Sequence, residues 1–238
     1  MIVKLPATHS TNSYMQEVLS KSLPEEGTLV WTPCQTAGRG QCGNAWESEP
    51  GKNITCSAVF YPAVNIQEQF LVSEAVSLAV IDFMDLLMPG CRIKWPNDIY
   101  YGDFKVAGIL IEQNLYGKRI DSCVAGVGIN INQKKFRSDA PNPLSVSLVT
   151  GETYDVELLL PQLQEKLTER MRELKSPCLH QEYMSRLYRN EGFFVFSDES
   201  GIFVARICDV QSNGYLVLET DKKEKRCYAF KEVEFVIK

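Results

Sequence analysis

Four strand-like segments follow one another between residues 92 and 131, with only short breaks between them. Two of the breaks contain Gly102-Asp103 and Tyr116-Gly117. A parallel strand pair needs a crossover of a dozen or more residues, whereas loops this short favour antiparallel hairpins. The spacing therefore predicts an antiparallel-rich sheet and not a series of βαβ units. The four predicted strands are residues 92–95, 99–101, 105–114 and 119–131.

Helical segments flank this run of strands. Residues 67–87 have the length and periodicity of an amphipathic helix, which ends at Pro89-Gly90, a strong stop signal. Hydroxyl and amide side chains at Ser10, Thr11 and Asn12 are typical helix caps, and they precede a shorter apolar pattern. Residues 155–174 and 179–189 are predicted to form two more helices. Helices beside an antiparallel-rich mixed sheet predict an α+β fold.

The pattern changes from about residue 191 onward to short strands separated by turns. Five short strands within roughly 48 residues suit a small β-barrel. We therefore predict two domains, residues 1–190 and 191–238. The predicted strands of the second domain are residues 193–196, 202–210, 215–219, 227–230 and 233–237.

Composition supports an ordinary globular chain. Its 238 residues are 45% hydrophobic and 23% charged, close to the globular average. A net charge of −5 argues mildly against general nucleic-acid binding. The apolar stretches are too short or too interrupted to cross a bilayer, and the amino terminus lacks the apolar core of a signal peptide. We therefore expect a cytoplasmic location.

Eight cysteines are scattered along the chain without a Cys-x-x-Cys pair. The two histidines, His9 and His180, are far apart in sequence. A chain of this size does not need a disulfide framework. We therefore expect reduced thiols and no zinc site, and we assign no metal to protein side chains.

A glycine-rich segment at residues 34–44 reads Cys-Gln-Thr-Ala-Gly-Arg-Gly-Gln-Cys-Gly-Asn. Glycines at 38, 40 and 43 allow successive backbone N–H groups to converge on an anion. Arg39 adds a forked cation suited to a carboxylate or phosphate. Taken alone, a glycine-rich surface turn explains this segment equally well.

Four segments in a fixed order favour a ligand-binding loop over a surface turn. Together they resemble the biotin protein ligase family, and the resemblance covers nearly the whole chain. It implies a biotin/lipoate ligase-like catalytic domain followed by an SH3-like β-barrel. The segments are Gly38-Arg39-Gly40, Lys94-Trp95-Pro96-Asn97-Asp98, the strand from Lys105 to Glu112, and Gly126-Val127-Gly128-Ile129-Asn130.

The resemblance also implies a two-step reaction that makes the protein an ATP-dependent ligase. Biotin and ATP give biotinyl-adenylate and pyrophosphate, and the biotinyl group then passes to a lysine of a biotin carboxyl carrier domain. ATP and Mg²⁺ are the implied cofactors, and the partner is a biotin-dependent carboxylase. The enzyme is expected as a monomer or a homodimer without membrane association.

Some members of the family also bind DNA through a helix-turn-helix domain that precedes the catalytic domain. Here Ser10-Thr11-Asn12, the first catalytic motif, comes almost at the start of the chain. This leaves no room for such a domain, so we expect the form without it and no direct DNA binding.

Lys105 and Arg39 are the predicted catalytic residues. Lys105 matches the essential lysine of the family, and its ammonium is expected to touch both the biotin carboxylate and the α-phosphate of ATP. An edge-strand lysine that serves solubility is the alternative. Arg39 is expected to clamp the carboxylate or phosphate.

The remaining site residues follow from the same resemblance. Ser10 to Asn12 can also be explained as helix caps, and Trp46 as a core aromatic residue. A supporting turn is expected at Asn97 and Asp98. Contacts with ATP or the adenylate are expected from Arg39, Trp46, Lys105, Gly128 and Asn130. Contacts with biotin are expected from Ser10, Thr11, Asn12, Gln35, Gly38, Arg39, Gly40, Gln41, Lys105 and Gly108.

The glycine loop departs from the family pattern at two positions. Many relatives carry arginine where this chain has Gln41 and Asn44, so Arg39 is its only loop cation. We therefore predict weaker retention of the adenylate.

Two other functions remain open from the sequence. A lipoate or octanoate ligase shares the catalytic fold, and acyl specificity depends on pocket shape. A non-catalytic biotin-binding regulator is the second alternative, although the presence of Lys105 and Arg39 argues against it.

Overall fold

The computed structural model describes residues 1–137 and 142–237, without the side chain of Cys42. Two β-sheets organise these residues. The larger sheet contains β1 (Ile2–Lys4), β2 (Leu29–Trp31), β3 (Ile54–Phe60), β4 (Arg92–Lys94), β5 (Asp98–Tyr101), β6 (Phe104–Tyr116) and β7 (Arg119–Ile129).

Within residues 1–137 and 142–237, five α-helices accompany the larger sheet. Of the predicted caps, Ser10 is the N-cap of α1 and accepts from the N–H of Ser13 at 3.5 Å, whereas Thr11 and Asn12 lie within the helix. Asp155, which was not predicted as a cap, accepts from the N–H of Glu157 at 3.0 Å at the start of α4. Short 3₁₀ turns add to the helices at Gln41–Gly43 and Ile66–Glu68. The helices are α1 (Thr11–Leu19), α2 (Phe70–Leu87), α3 (Val146–Thr150), α4 (Val156–Arg172) and α5 (Leu179–Ser185).

The strand order of the larger sheet is β1-β2-β3-β7-β6-β5-β4. Only the β1–β2 pair is parallel, and α1 supplies its crossover. All other neighbours are antiparallel, with the long β6–β7 hairpin at the centre. The antiparallel-rich sheet predicted from the short breaks is therefore confirmed.

The helix α2 differs from the predicted amphipathic helix. Residues 74–81 are all buried, so this stretch has no solvent-facing side. The reason is that α2 packs on β4, β5 and β6 with one side and on α4 and α5 with another. A helix covered on several sides keeps apolar residues all around its axis.

The smaller sheet is formed by the last part of the chain, and all its neighbouring strands are antiparallel. Its spatial order is β11-β10-β9-β8-β12. This arrangement confirms the α+β fold class with a terminal SH3-like barrel, whereas the boundary between residues 190 and 191 stays a prediction. The strands are β8 (Phe194–Asp198), β9 (Gly201–Val210), β10 (Leu216–Thr220), β11 (Lys225–Tyr228) and β12 (Glu234–Phe235).

Two chain-wide features complete the description. The cysteines other than Cys42 are free thiols. Within residues 1–137 and 142–237, no helix combines the length and the apolar character needed to cross a membrane.

Candidate active site

A pair of glycines forms the floor of a cavity at the centre of the larger sheet. Gly108 of β6 lies opposite Gly128 of β7, and the same cross-strand row continues to Thr55 on one side and to Asp98 and Lys94 on the other. Opposed residues on antiparallel strands point to the same face. The missing side chains of the two glycines therefore leave an opening between polar side chains, and all five residues line it.

The first end of the cavity is formed where α1 approaches the sheet. A Cβ on Gly126 would lie only 2.1 Å from Asn12 Oδ1, so only glycine permits this approach. Ser57 Oγ lies 2.8 Å from Thr11 Oγ1 and donates to Asn12 Oδ1 at 2.5 Å. The backbone N–H of Thr11 donates to Gln35 Oε1 at 2.9 Å. These neutral amide and hydroxyl groups hold one another in place.

A carboxylate, Glu112, closes this first end. Its Oε2 accepts from Asn12 Nδ2 at 2.9 Å and from Arg39 Nη2 at 2.8 Å. The Arg39–Glu112 ion pair ties the glycine loop to β6 and balances the charge of the loop arginine.

The centre of the cavity holds Lys105. Its Nζ lies 2.6 Å from Asp98 Oδ1, and both side chains are less than a quarter exposed. A Cβ on Gly108 would lie 3.4 Å from Lys105 Cε, which shows that the lysine side chain passes over the floor. The backbone of Lys105 donates to Asn142 O and accepts from the N–H of Leu144, which fixes the start of β6.

The indole of Trp46 covers the glycine floor. A Cβ would lie 2.4 Å from Trp46 Cε2 if added to Gly128, and 2.8 Å from Trp46 Cζ3 if added to Gly108. The ammonium of Lys105 lies 5.6 Å from the ring centroid. Trp46 Nε1 is buried and has no hydrogen-bond partner in the described part of the chain. The floor therefore already holds a flat ring, the Trp46 indole, and a ligand ring that lies there requires this indole to move.

The supporting turn predicted at Asn97 and Asp98 joins β4 and β5. Asn97 Nδ2 donates to Ile109 O at 2.6 Å, and the N–H of Ile109 donates to Asn97 O at 2.9 Å. Asn97 thus ties the turn to β6, whereas the Asp98 carboxylate reaches Lys105.

Two predicted site residues lie outside the cavity wall. Gly38 packs inside its own loop, where a Cβ would lie 2.5 Å from Trp46 O and 2.6 Å from Gln35 Nε2. Asn130 Nδ2 donates to Leu144 O at 3.0 Å, so its amide holds a neighbouring segment. Their direct contacts with a ligand stay predictions. The other predicted residues all line the cavity: Ser10, Thr11, Asn12, Gln35, Arg39, Gly40, Gln41, Trp46, Asn97, Asp98, Lys105, Gly108 and Gly128.

Four residues at or beside the cavity were missed by sequence reasoning. Thr55 and Ser57 carried a signal, because two hydroxyls alternate along a strand that is otherwise apolar and buried. Glu112 and Lys94 lie within the motif segments but received no role. Burial, together with the nearby ammonium of Lys105, lowers the pKa of Lys94.

The chain matches the model of the biotin/lipoate A/B protein ligase family over residues 5–130. It is 33% identical to the biotin–[acetyl-CoA-carboxylase] ligase of Paracoccus denitrificans over 168 residues, which cover 67% of this chain and 68% of the relative. It is 29% identical over 233 residues to the bifunctional ligase/repressor BirA of Bacillus subtilis, covering 92% of this chain and 70% of that protein.

The fold also resembles solved structures. The biotin protein ligase from Aquifex aeolicus in complex with biotin and ATP superposes with a TM-score of 0.76, covering 99% of both chains at 22% identity. At this identity the likeness supports the fold alone. The family match extends over more than half of the chain, from just after β1 to the end of the β6–β7 hairpin that forms the cavity floor. The chain belongs to the biotin/lipoate A/B protein ligase family.

Proposed function

We propose that this protein is a biotin protein ligase, which adenylates biotin with ATP and then transfers the biotinyl group to a carrier lysine. One observation carries the proposal: a single cavity joins a cluster of neutral hydrogen-bonding groups to a central lysine and to a glycine floor on which the Trp46 indole lies. A urea ring suits the neutral cluster, a carboxylate suits the lysine, and a purine suits the glycine floor once the indole has moved. The names of the relatives support the same activity.

In the first half-reaction, a carboxylate oxygen of biotin forms a bond to the α-phosphorus of ATP. The bond from that phosphorus to the bridging oxygen of the β-phosphate breaks, and pyrophosphate leaves with the electron pair. Lys105 lies where the two reacting anions meet, and its charge offsets their repulsion. Its ammonium is paired with Asp98 in this structure, so the ligand oxygens must replace that carboxylate or bind the ammonium beside it.

Mg²⁺ normally accompanies a triphosphate and is held largely by phosphate oxygens and water. Among the residues that the structure describes, no group of three or more acidic, histidine or cysteine side chains lies together to hold a metal. The cavity fits this mode, because Asp98 offers one carboxylate beside the central lysine. When bound, the ion would neutralise triphosphate charge.

In the second half-reaction, the amine of the carrier lysine attacks the acyl carbon of biotinyl-adenylate. The bond from that carbon to the phosphate oxygen breaks, AMP leaves, and the new amide nitrogen loses a proton. A biotin carboxyl carrier domain of a carboxylase is the proposed acceptor, as the name of the Paracoccus relative suggests. A cytoplasmic location and a monomeric or dimeric state belong to the same proposal.

Acyl-adenylate formation tests the proposal. The purified protein is incubated with MgATP and either biotin or lipoate, and the product is identified by mass spectrometry. We expect biotinyl-adenylate, reduced by about 10²- to 10³-fold in Lys105→Ala and unchanged in Lys118→Ala, an exposed lysine on the β6–β7 turn. Lipoyl-adenylate alone would assign the chain to lipoate activation. Tight biotin binding without any adenylate would contradict ligase activity.

A further inference from the structure

A second lysine, Lys94, lines the same cavity at the edge of the sheet. It is the last residue of β4 and lies directly across the β4–β5 hairpin from Asp98. Its ammonium lies 5.2 Å from the ring centroid of Tyr100 and 5.0 Å from that of Phe235. Cation–π contacts with two aromatic rings therefore help to hold this charge in place.

Lys94 makes no ion pair within the described residues. No carboxylate there lies within ion-pair distance of its ammonium, whereas Lys105 pairs with Asp98 and Arg39 pairs with Glu112. Burial is the main cause that lowers the pKa of Lys94, and the nearby Lys105 adds to it, whereas the carboxylates of Asp98 and Glu234 act to raise it. A partly buried ammonium whose nearest carboxylates lie beyond ion-pair distance favours an anionic ligand.

The position of Lys94 along the cavity indicates which part of an anionic ligand would contact it. Arg39 lies at the first end of the cavity, beside Asn12 and Glu112. Lys105 lies over the central floor, and Lys94 lies two strands beyond Gly108 in the same cross-strand row. A ligand that places its carboxylate and α-phosphate at Lys105 therefore directs any further phosphates toward Lys94.

We propose that Lys94 binds the β- and γ-phosphates of ATP, the part that leaves as pyrophosphate in the first half-reaction. This inference rests on the proposed adenylation. As the bond between the α-phosphorus and the bridging oxygen breaks, that oxygen gains negative charge, which the fixed ammonium stabilises. Lys94 has no such partner in the second half-reaction, because pyrophosphate has already left.

The inference also gives the terminal sheet a part in catalysis. Phe235 belongs to β12, and its ring is one of the two faces that hold the Lys94 ammonium. Phe235 is therefore a positioning residue for the pyrophosphate site. Its effect should appear only in reactions that use ATP or pyrophosphate.

The test separates the two half-reactions in Lys94→Met, which keeps the length of the side chain and removes its charge. Adenylation is measured with MgATP and biotin, the reverse reaction with biotinyl-adenylate and pyrophosphate, and transfer with supplied biotinyl-adenylate and a carrier domain. Lys94→Arg restores a cation, and Lys118→Met is the matched surface control.

We expect Lys94→Met to lower kcat/KM for MgATP about 10- to 100-fold, and to raise the KM for pyrophosphate similarly, since a hydrogen bond to a charged group contributes about 1.5–3 kcal/mol. Transfer from supplied biotinyl-adenylate should stay within twofold of the parent, which also reports that the variant is folded. Lys94→Arg should recover part of the loss, and Phe235→Leu should show a smaller loss of the same kind.

Unchanged adenylation in Lys94→Met would overturn the inference, and so would an equal loss in both half-reactions. Either result leaves the proposed function intact, provided that the parent protein forms biotinyl-adenylate. A parent protein that forms no biotinyl-adenylate would instead remove the basis of both.

Discussion

The contact between Asn12 and Gly126 brings three parts of the chain together at the first end of the cavity. Asn12 Oδ1 accepts from Ser57, and its Nδ2 donates to Glu112 and to Leu110 O. All of these groups are more than 40 residues from Asn12 in sequence. One amide thus links α1 to β3 and β6, and the absence of a side chain at Gly126 makes room for it.

Substitution of Gly126 by alanine should therefore weaken biotin binding. The new Cβ would lie 2.1 Å from Asn12 Oδ1, so the amide must move and lose its partners. Unmet buried polar groups cost about 1–3 kcal/mol, which corresponds to roughly a 5- to 150-fold rise in Kd. Isothermal titration with biotin measures the effect. An unchanged Kd would show that the ligand does not depend on the placement of Asn12.

The loop residue Gln41 provides a second prediction at this scale. Its Oε1 is buried at the cavity and has no hydrogen-bond partner in the described residues. Replacing this side chain therefore breaks no hydrogen bond of Oε1 that holds the loop. Gln41→Arg should slow the dissociation of biotinyl-adenylate by adding a cation beside its phosphate. Gln41→Met, similar in length but neutral, is the control. Equal dissociation rates for Gln41→Arg and the parent protein would refute the prediction.

Single residues were predictable from sequence where a motif marked them. Lys105, Arg39 and Trp46 were predicted in this way, and the structure brings them to one cavity. The roles of Lys94 and Glu112 depend on which residues lie across neighbouring strands or on facing loops, and a linear pattern does not contain that information.

At the scale of elements, His180 joins two helices to the terminal sheet. Its Nδ1 lies 2.7 Å from Glu74 Oε1 of α2, and its Nε2 lies 2.9 Å from Asp209 Oδ1 of β9. Burial alone would lower the pKa of His180, but the hydrogen bonds to the two carboxylates outweigh it and raise the pKa. Burial raises the pKa of Glu74 and, together with Glu74, that of Tyr183 beneath it.

These shifts predict that folding stability falls as pH rises through neutrality. The folded protein keeps a proton on His180 at pH values where the unfolded chain has lost it. The stabilisation is therefore complete below the ordinary histidine pKa of about 6.5 and is lost as pH passes the raised folded-state pKa. The raised pKa of Glu74 has the same sign, but its contribution begins to be lost above the ordinary glutamate pKa, at lower pH than that of His180.

Denaturant midpoints measured near pH 6 and pH 8 test this prediction. We expect the higher midpoint at the lower pH, and a smaller difference in His180→Gln and Asp209→Asn. His9→Gln removes the only other histidine and should keep the difference. A pH dependence that survives in His180→Gln would assign it to other groups.

Elements with strong local signals were predicted well, whereas α3 was missed. The β5–β6 and β6–β7 hairpins follow from short glycine-containing breaks, and α2 ends at Leu87, the residue predicted for it. Helix α3 has only five residues, Val-Ser-Leu-Val-Thr, and three of them are β-branched. Its backbone is instead held by tertiary bonds, in which Val146 N–H donates to Asn130 O and Ser147 N–H donates to Ile131 O.

For the whole molecule, the two sheets share one hydrophobic core. Core residues of the smaller sheet, such as Phe196 and Leu216, belong to the same cluster as Ile93 of the larger sheet. Trp95 Nε1 also donates to Gly214 O at 2.9 Å. Gly214 has φ +90°, and a Cβ there would lie 2.8 Å from Phe70 Cδ2, so this turn packs closely on α2.

Because of this shared core, we expect a single cooperative unfolding transition. Independent domains would unfold separately, whereas a continuous apolar interface couples them. Scanning calorimetry measures the transition, and agreement between the calorimetric and van't Hoff enthalpies is the expected result. Two resolved transitions, with the smaller one lost when residues 191–238 are deleted, would contradict the prediction.

The central claim is that one cavity holds the whole biotinyl-adenylate, and a crystal structure with a hydrolysis-resistant analogue of that compound tests it most directly. We predict the ureido ring beside Asn12 and Gln35, the acyl-phosphate link at Lys105, and the adenine above Gly108 and Gly128 in the place that the Trp46 indole now occupies. An analogue bound with its link away from Lys105, or outside this cavity, would contradict the account.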